Sequence, residues 1–180
     1  MPASPFEINV RTLVGKPGTM RELELRLPVR ERIGEGMVAV PAGSELELRL
    51  RLESLHDGIL ATARVDAELS GECSRCLEAI DDELRVEFAE LFAYALDDAL
   101  EYRVHDDQID LEPPVRDAVV LALPFQPVCE PDCLGLDPET GEKLTEPRPA
   151  QEDRIDPRWA ALSQFGADPS DPDAPSAQGR

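Results

Sequence analysis

Four cysteines are the residues of this chain whose spacing points to a shared chemistry, and they are the only cysteines it has. They fall in two short pairs, Cys73-Ser74-Arg75-Cys76 and Cys129-Glu130-Pro131-Asp132-Cys133. A turn bearing two thiols supplies half of a tetrahedral metal site, and a second such turn supplies the other half. Zinc, held by thiolates about 2.3 Å away, is the ion this donor set suits. Two other fates are open to the thiols: packing as small apolar side chains, and disulfide or redox chemistry through Cys73 and Cys76. Only a metal uses all four together, so Cys73, Cys76, Cys129 and Cys133 are the expected ligands of a structural zinc. Hydrolase chemistry finds no pattern: His56 and His105 lie far apart, and no G-x-S-x-G occurs. No catalytic residue is assigned, and the protein is read as not an enzyme.

The elements that must carry those pairs follow from periodicity. Leu46, Leu48, Leu50 and Leu52 alternate with Glu45, Glu47, Arg49, Arg51 and Glu53, a period of two that a helix would scatter around its circumference. Ile59, Ala61, Ala63, Val65, Ala67 and Leu69 continue it, so residues 45–70 are predicted to form a long hairpin with a type I′ turn at Asp57-Gly58. His56 belongs to that turn and is read as solvated. Cys73 and Cys76 follow directly after Gly71, where a glycine would let the backbone curl and aim two sulfurs at one point.

Upstream, Phe6, Ile8 and Val10, running on to Leu13 and Val14, suggest a first strand; Leu23, Leu25 and Leu27 suggest another, stopped by Pro28. Downstream, Leu84, Val86, Phe88, Phe92 and Tyr94 share one parity and are read as strand, although Leu84, Phe88, Leu91, Phe92 and Ala95 also fit a helix. Residues 97–110, acidic and without periodicity, are expected to form an irregular loop; their carboxylates lack the spacing of a calcium loop and are read as a solvated charge run. Asp110 can cap a helix with Pro113 in its first turn, Val115, Val119, Val120 and Leu123 as its apolar stripe, and Pro124 as its stop. That helix leads through Phe125 into Cys129. Packing it on the sheet would carry the second cysteine pair to the first.

These elements predict an α+β fold: a mainly antiparallel, strongly bent β-sheet with one packed helix, a short C-terminal helix and a disordered tail. The terminal helix is placed at Asp156-Pro157 through Phe165, with Trp159 docking it on the body. The domain is expected to span 1–135, extending to about 165 with that helix, and 166–180 to form an acidic, proline-rich tail too poor in apolar residues to order itself.

A chain of 180 residues has room for one domain with a real core. It shows no signal-peptide pattern at its start and no run of 18 apolar residues, so a cytoplasmic location without membrane contact is expected. A reducing cytosol disfavours structural disulfides. The net charge is −20. Residues 1–54 carry eight charges of each sign, so the whole imbalance lies beyond them. Such a surface repels phosphates and attracts basic partners, so no strong direct nucleic-acid binding is expected. The arginines of the neutral third, Arg11, Arg21, Arg26, Arg30, Arg32, Arg49 and Arg51, are read as solvent-facing residues on strands. The two lysines, Lys16 and Lys143, receive no functional weight.

Taken together, the C-S-R-C knuckle and its R-C-L, the helix pattern from Val115-Arg116-Asp117 to Leu121-Ala122-Leu123-Pro124, the C-x-x-x-C pair and the closing Ile155-Asp156-Pro157-Arg158-Trp159-Ala160-Ala161-Leu162 resemble the YceD family. That is the bacterial and plastid family of large ribosomal RNA subunit accumulation proteins, and the resemblance covers roughly residues 8–165. It implies a non-enzymatic ribosome biogenesis factor supporting accumulation or processing of large-subunit (23S) ribosomal RNA. The expected partner is then a basic ribosomal protein or a large-subunit assembly intermediate. A thiol-redox protein using Cys73 and Cys76, or a generic acidic protein-binding module, are the alternatives.

Many family members continue the second pair as G-L-C-x-x-C-G. Here Gly135-Leu136 leads to Asp137 and then Thr140-Gly141, so two cysteines of that pattern are absent. If the family's site uses its last four cysteines, this chain has lost the site or replaces a thiolate by the Asp137 carboxylate. If the site joins the first pair to Cys129 and Cys133, it is intact.

Overall fold

In the computed structural model, residues 4–95, 102–147 and Arg158 are described. Their elements run β1 (Glu7–Asn9), β2 (Met20–Pro28), β3 (Val38–Ala39), β4 (Glu45–Ser54), β5 (Gly58–Glu72), β6 (Ala79–Ala93), β7 (Tyr102–Arg103), β8 (Gln108–Asp110) and α1 (Glu112–Ala122). The fold is α+β, mostly strands with one helix among the described residues. Strands β2, β4, β5, β6 and β7 lie side by side, antiparallel except for the parallel pair β6–β7. The short β3 pairs with the far end of β5, setting Val38 opposite Gly71. β1 and β8 form a separate ladder with Ile8 opposite Ile109.

The leucine alternation sets the inner face. Leu46, Leu48, Leu50 and Leu52 of β4 are buried, as are Ile59, Ala61, Ala63, Val65, Ala67 and Leu69 of β5, because a pleated strand turns every second side chain the same way. Each buried leucine is worth about 1.5–3 kcal/mol relative to leaving it in water. Phe92, Ile109 and Leu111 complete this core with Val115 and Val119 of α1. The helix rests against β6. The region 84–93 is strand, as its parity suggests, and Tyr94 lies just beyond its end.

The outer face carries the charges in ordered rows. Across β2, β4, β5 and β6, Glu24, Arg49, Arg64 and Glu87 are neighbours in one row, and Arg26, Glu47, Asp66 and Arg85 in the next. Each like-charged pair in mid-row is flanked by opposite charges on either side and in the adjoining row. Arg26 meets Glu47 at 3.2 Å and Arg64 meets Glu87 at 3.7 Å, while Arg85 pairs with Asp66 and holds its carboxyl below the usual range. Arg26, Arg49 and Arg51 of the neutral third thus take part in a self-neutralising lattice, whereas Arg21 lies opposite Leu52 and donates to the Asn9 carbonyl at 3.2 Å.

Several local expectations are corrected. The register pairs Ser54 with Ile59 and closes through Leu55 N–H to the Gly58 carbonyl at 2.8 Å, so the turn residues are His56-Asp57, one position earlier than expected, and none has a positive φ. Gly58 is required instead by the close approach of β6, since a Cβ there would lie 2.3 Å from the Phe92 carbonyl oxygen. A two-residue turn with both φ positive does occur, at Asp106-Asp107 (+49° and +59°), bracketed by mutual hydrogen bonds between His105 and Gln108. It lies within 97–110, which was expected to be irregular but which contributes β7 and β8. Leu13 and Val14 do not extend β1. They form a turn in which Leu13 N–H bonds to the Val10 carbonyl at 2.8 Å. The helix N-cap is Leu111; the Asp110 carboxylate sits one residue earlier and accepts from Glu112 N–H at 2.9 Å. In the predicted stripe Val115 and Val119 are buried, whereas Val120 is exposed.

The chain divides into two compact units, Met1–Lys143 and Leu144–Arg180, and the architecture above is that of the first. The expected C-terminal helix at 156–165 and the tail beyond it lie, Arg158 aside, outside the described residues. Among the described residues no helix is long and apolar enough to cross a membrane.

Candidate metal centre

The loop joining β5 to β6 presents the first two sulfurs. Its strands are paired without a break from Gly58–Ala93 to Glu72–Ala79, so the loop 73–78 is held at the end of a fifteen-residue ladder. Cys73 N–H bonds to the Glu78 carbonyl at 2.8 Å and Leu77 N–H to the Cys73 carbonyl at 3.0 Å, curling the chain into a knuckle. The left-handed residue that makes this possible is Leu77, at φ +60°, and not Gly71 as the sequence suggested. Gly71 lies within β5, where it admits the β3 backbone: a Cβ would fall 2.0 Å from the Met37 carbonyl oxygen.

The second pair arrives through α1. With Val115 and Val119 anchored in the core, the segment after the helix is laid along the knuckle, and Ser74 N–H bonds to the Pro127 carbonyl at 2.8 Å. All four sulfurs, those of Cys73, Cys76, Cys129 and Cys133, then lie within 4.8 Å of one another. The Cys73–Cys133 separation is 3.8 Å and that of Cys76–Cys129 is 3.6 Å, and all four are free thiols. Tetrahedral corners about 2.3 Å from a common centre are about 3.8 Å apart, so the donor set fits zinc in both chemistry and span.

The backbone is arranged for negative charge on sulfur. Burial pushes the Cys73 thiol up, but the amides of Cys76, Cys129 and Arg75 overcome it and bring the thiol down to about 6. Two of these are direct bonds to the sulfur, from Arg75 N–H and Cys129 N–H, both at 3.4 Å. Cys129 is pushed up to about 12 by the neighbouring Cys76 sulfur and by burial. In such a cluster one thiolate forms readily and further ionisation requires a cation.

Three surrounding groups take roles that the sequence did not assign them. The Arg75 guanidinium donates to the carbonyl oxygens of Cys133 at 2.9 Å and Pro131 at 3.4 Å and so ties one cysteine loop to the other. Lys143 forms an ion pair with Glu78 on the knuckle, and Leu136 bridges to Lys143 across a small loop. Asp137, offered by the family pattern as a thiolate substitute, instead accepts from Glu139 N–H at 2.7 Å and Thr140 N–H at 3.1 Å, shaping that loop. Of the two ligand sets the resemblance allowed, the structure assembles Cys73 and Cys76 with Cys129 and Cys133.

A family model described as "Large ribosomal RNA subunit accumulation protein YceD" matches residues 61–166, a span containing all four cysteines. The chain belongs to the YceD family. A ribosome-related role is thereby shown at the level of the family. An uncharacterized protein of Mycobacterium tuberculosis is 43% identical over 176 residues, covering 94% of this chain and 85% of that one. One of Mycobacterium leprae is 37% identical over 180 residues, covering 96% and 81%. The uncharacterized protein YlbN of Bacillus subtilis shares 31% over 112 residues, or 56% of this chain and 64% of its own. No solved structure matches this YceD-family chain.

Proposed function

We propose that this chain is a non-enzymatic ribosome biogenesis factor that supports accumulation or processing of large-subunit (23S) ribosomal RNA by binding a basic ribosomal component in the cytoplasm. The family match carries the reading. The net charge of −20 supports the choice of a basic partner, such as a ribosomal protein or an assembly intermediate, over naked RNA. Zinc held by Cys73, Cys76, Cys129 and Cys133 supplies a structural cross-link between the β5–β6 hairpin and the segment after α1. A domain made of the strands and α1, with the C-terminal helix added to it, is part of the same reading.

The test is the ratio of large- to small-subunit ribosomal RNA in cells depleted of the protein. A selective fall in the large-subunit RNA is expected, restored by the wild-type chain. An unchanged ratio would remove the biogenesis role.

The depressed Cys73 thiol favours a second reading, in which Cys73 and Cys76 act as a redox pair. The same sulfur belongs to a residue with 0% exposure and accepts two amide hydrogen bonds, so it is not presented to a substrate thiol. Rapid labelling of Cys73 in the native, metal-treated protein would favour the redox reading over the structural one.

A further inference from the structure

The strand β6 has a long outer edge that no described element pairs. Its inner side is joined to β5 over all fifteen residues, but β7 covers only Phe92 and Ala93. The Ala93 carbonyl faces β7, accepting from Val104 N–H at 3.0 Å, whereas Tyr94 N–H bonds to the Asp57 carbonyl on the β5 side. Because the β5–β6 register is unbroken, the same parity turns the N–H and C=O groups of Glu83, Arg85, Glu87, Ala89 and Leu91 outward.

Charge and burial say what would fit that edge. The strand carries Asp81, Asp82, Glu83, Glu87 and Glu90 against Arg85, while the opposite edge strand, β2, is balanced by Arg21 and Arg26 against Glu22 and Glu24. On the core side, Leu84, Val86 and Phe88 are only half-buried, although their partners on β5, Ala67, Val65 and Ala63, are fully covered. Acidic side chains on an edge also guard it against self-association. A guarded edge alone, however, has no need of three apolar side chains left part-open beside it. Like charge opposes a second copy of this strand. It also opposes residues 144–180, which carry seven acidic against four basic side chains.

We propose that the outer edge of β6 binds an extended, basic protein segment as an added strand, its backbone pairing with residues 83–89 and its alternate apolar side chains covering Leu84, Val86 and Phe88. This deepens, and rests on, the reading that the partner is a basic ribosomal component. Backbone bonds supply the affinity, and the acidic strand selects the sign of the partner.

The probe is a peptide of alternating arginine and valine, about ten residues long to match the open stretch, added to the purified full-length chain. Saturable binding is expected, with slowed amide exchange at Glu83, Glu87 and Ala89. The substitution Ala89→Pro removes an outward N–H that no described residue pairs, and is expected to weaken binding at least about tenfold while leaving the melting temperature close to wild type. The pair Glu83→Arg and Glu90→Arg should weaken it as much, and decides the matter if the proline variant does not fold. Absence of saturable binding, protection along β2, self-association through β6, or full affinity in the folded variants would overturn the proposal. The depletion test is separate. A fall in large-subunit RNA without peptide binding keeps the biogenesis role and removes the edge; peptide binding with unchanged RNA does the reverse.

Discussion

Lys143 and Glu78 form an ion pair at the rim of the four-sulfur cluster, where the Glu78 carboxylate also lies 3.8 Å from the Cys76 sulfur. Four thiolates around a divalent ion would make a doubly negative centre, which a further carboxylate beside it would destabilise by like-charge repulsion. The Lys143 ammonium offsets this and holds the carboxyl of Glu78 below its usual range. The pair is half exposed and screened by solvent, so breaking it should change stability little. Its larger effect is expected on the metal. Lys143→Glu should speed zinc transfer to a chelator several-fold at low salt, with the difference shrinking as salt is raised; equal transfer rates would remove Lys143 from the site.

Cys73→Ser and Cys129→Ser each delete one donor from opposite loops. Either is expected to reduce bound zinc from one equivalent to a small fraction and to lower the melting temperature, because metal affinity is folding free energy in a site assembled only by the fold. Elemental analysis and thermal unfolding read the two effects together. Wild-type melting in both variants would sink the structural-zinc reading.

The thiol ionisations fix the sign of the pH dependence. In the metal-free protein Cys73 is lowered to about 6 from an ordinary 9.0, so it contributes stability that is present above pH 9 and lost as pH falls toward 6. Cys129 is raised to about 12, so its protonated form contributes stability below pH 9 that is lost as pH rises toward 12. The melting temperature of the metal-free chain should therefore rise from pH 6 to 9 and fall beyond. Zinc affinity should weaken as pH drops, since bound thiolates must be deprotonated. A flat profile for the metal-free chain would count against the amide contacts to the Cys73 sulfur.

Gly71→Ala tests the β3–β5 approach. The added Cβ would fall 2.0 Å from the Met37 carbonyl oxygen and 2.6 Å from the Val38 Cα, both backbone atoms that cannot swing aside. A destabilisation of about 1–3 kcal/mol is expected. Gly15→Ala is not a matched control, because its φ of +70° adds strain of another kind.

The two faces of α1 separate packing from exposure. Val119, fully buried, should cost about 1–3 kcal/mol when changed to alanine and should weaken zinc binding with it, because the helix carries the second cysteine pair. Leu121, 85% exposed, should tolerate serine within about 0.5 kcal/mol and leave zinc binding unchanged. Denaturant unfolding with a parallel zinc titration checks both.

What could be read from the sequence depended on whether a signal was periodic or local. The leucines of β4 and the alternating residues of β5 announce their face because every second residue meets the same environment, and Val115 and Val119 do so at helical spacing. The cysteine pairs were visible as a donor set, and their meeting required only that α1 rest on the sheet. The turn at His56-Asp57 was hidden by Asp57-Gly58, since glycine there answers to Phe92 thirty-four residues away and not to its own turn. Asp106-Asp107 was hidden by its charge, which reads as a solvated run although both residues adopt left-handed backbone. Lys143 could not be recognised from its neighbours at all. Its role comes from Glu78, which is brought near only after the loop at 136–143 closes.

The positions of the two sulfur pairs along the chain also set an order of events in time. Cys73 and Cys76 are presented by a hairpin whose strands are neighbours in sequence, and such a ladder can form as soon as residue 93 is available. Cys129 and Cys133 come 53 and 57 residues after Cys76, behind a helix that has to be laid down first. While the chain is still being made, the leading pair is an incomplete chelate. Fourfold coordination becomes possible only when synthesis has passed Cys133 and α1 is in place. An ion captured there would be the last latch to close, turning the reversible docking of a single helix into a step that is slow to undo.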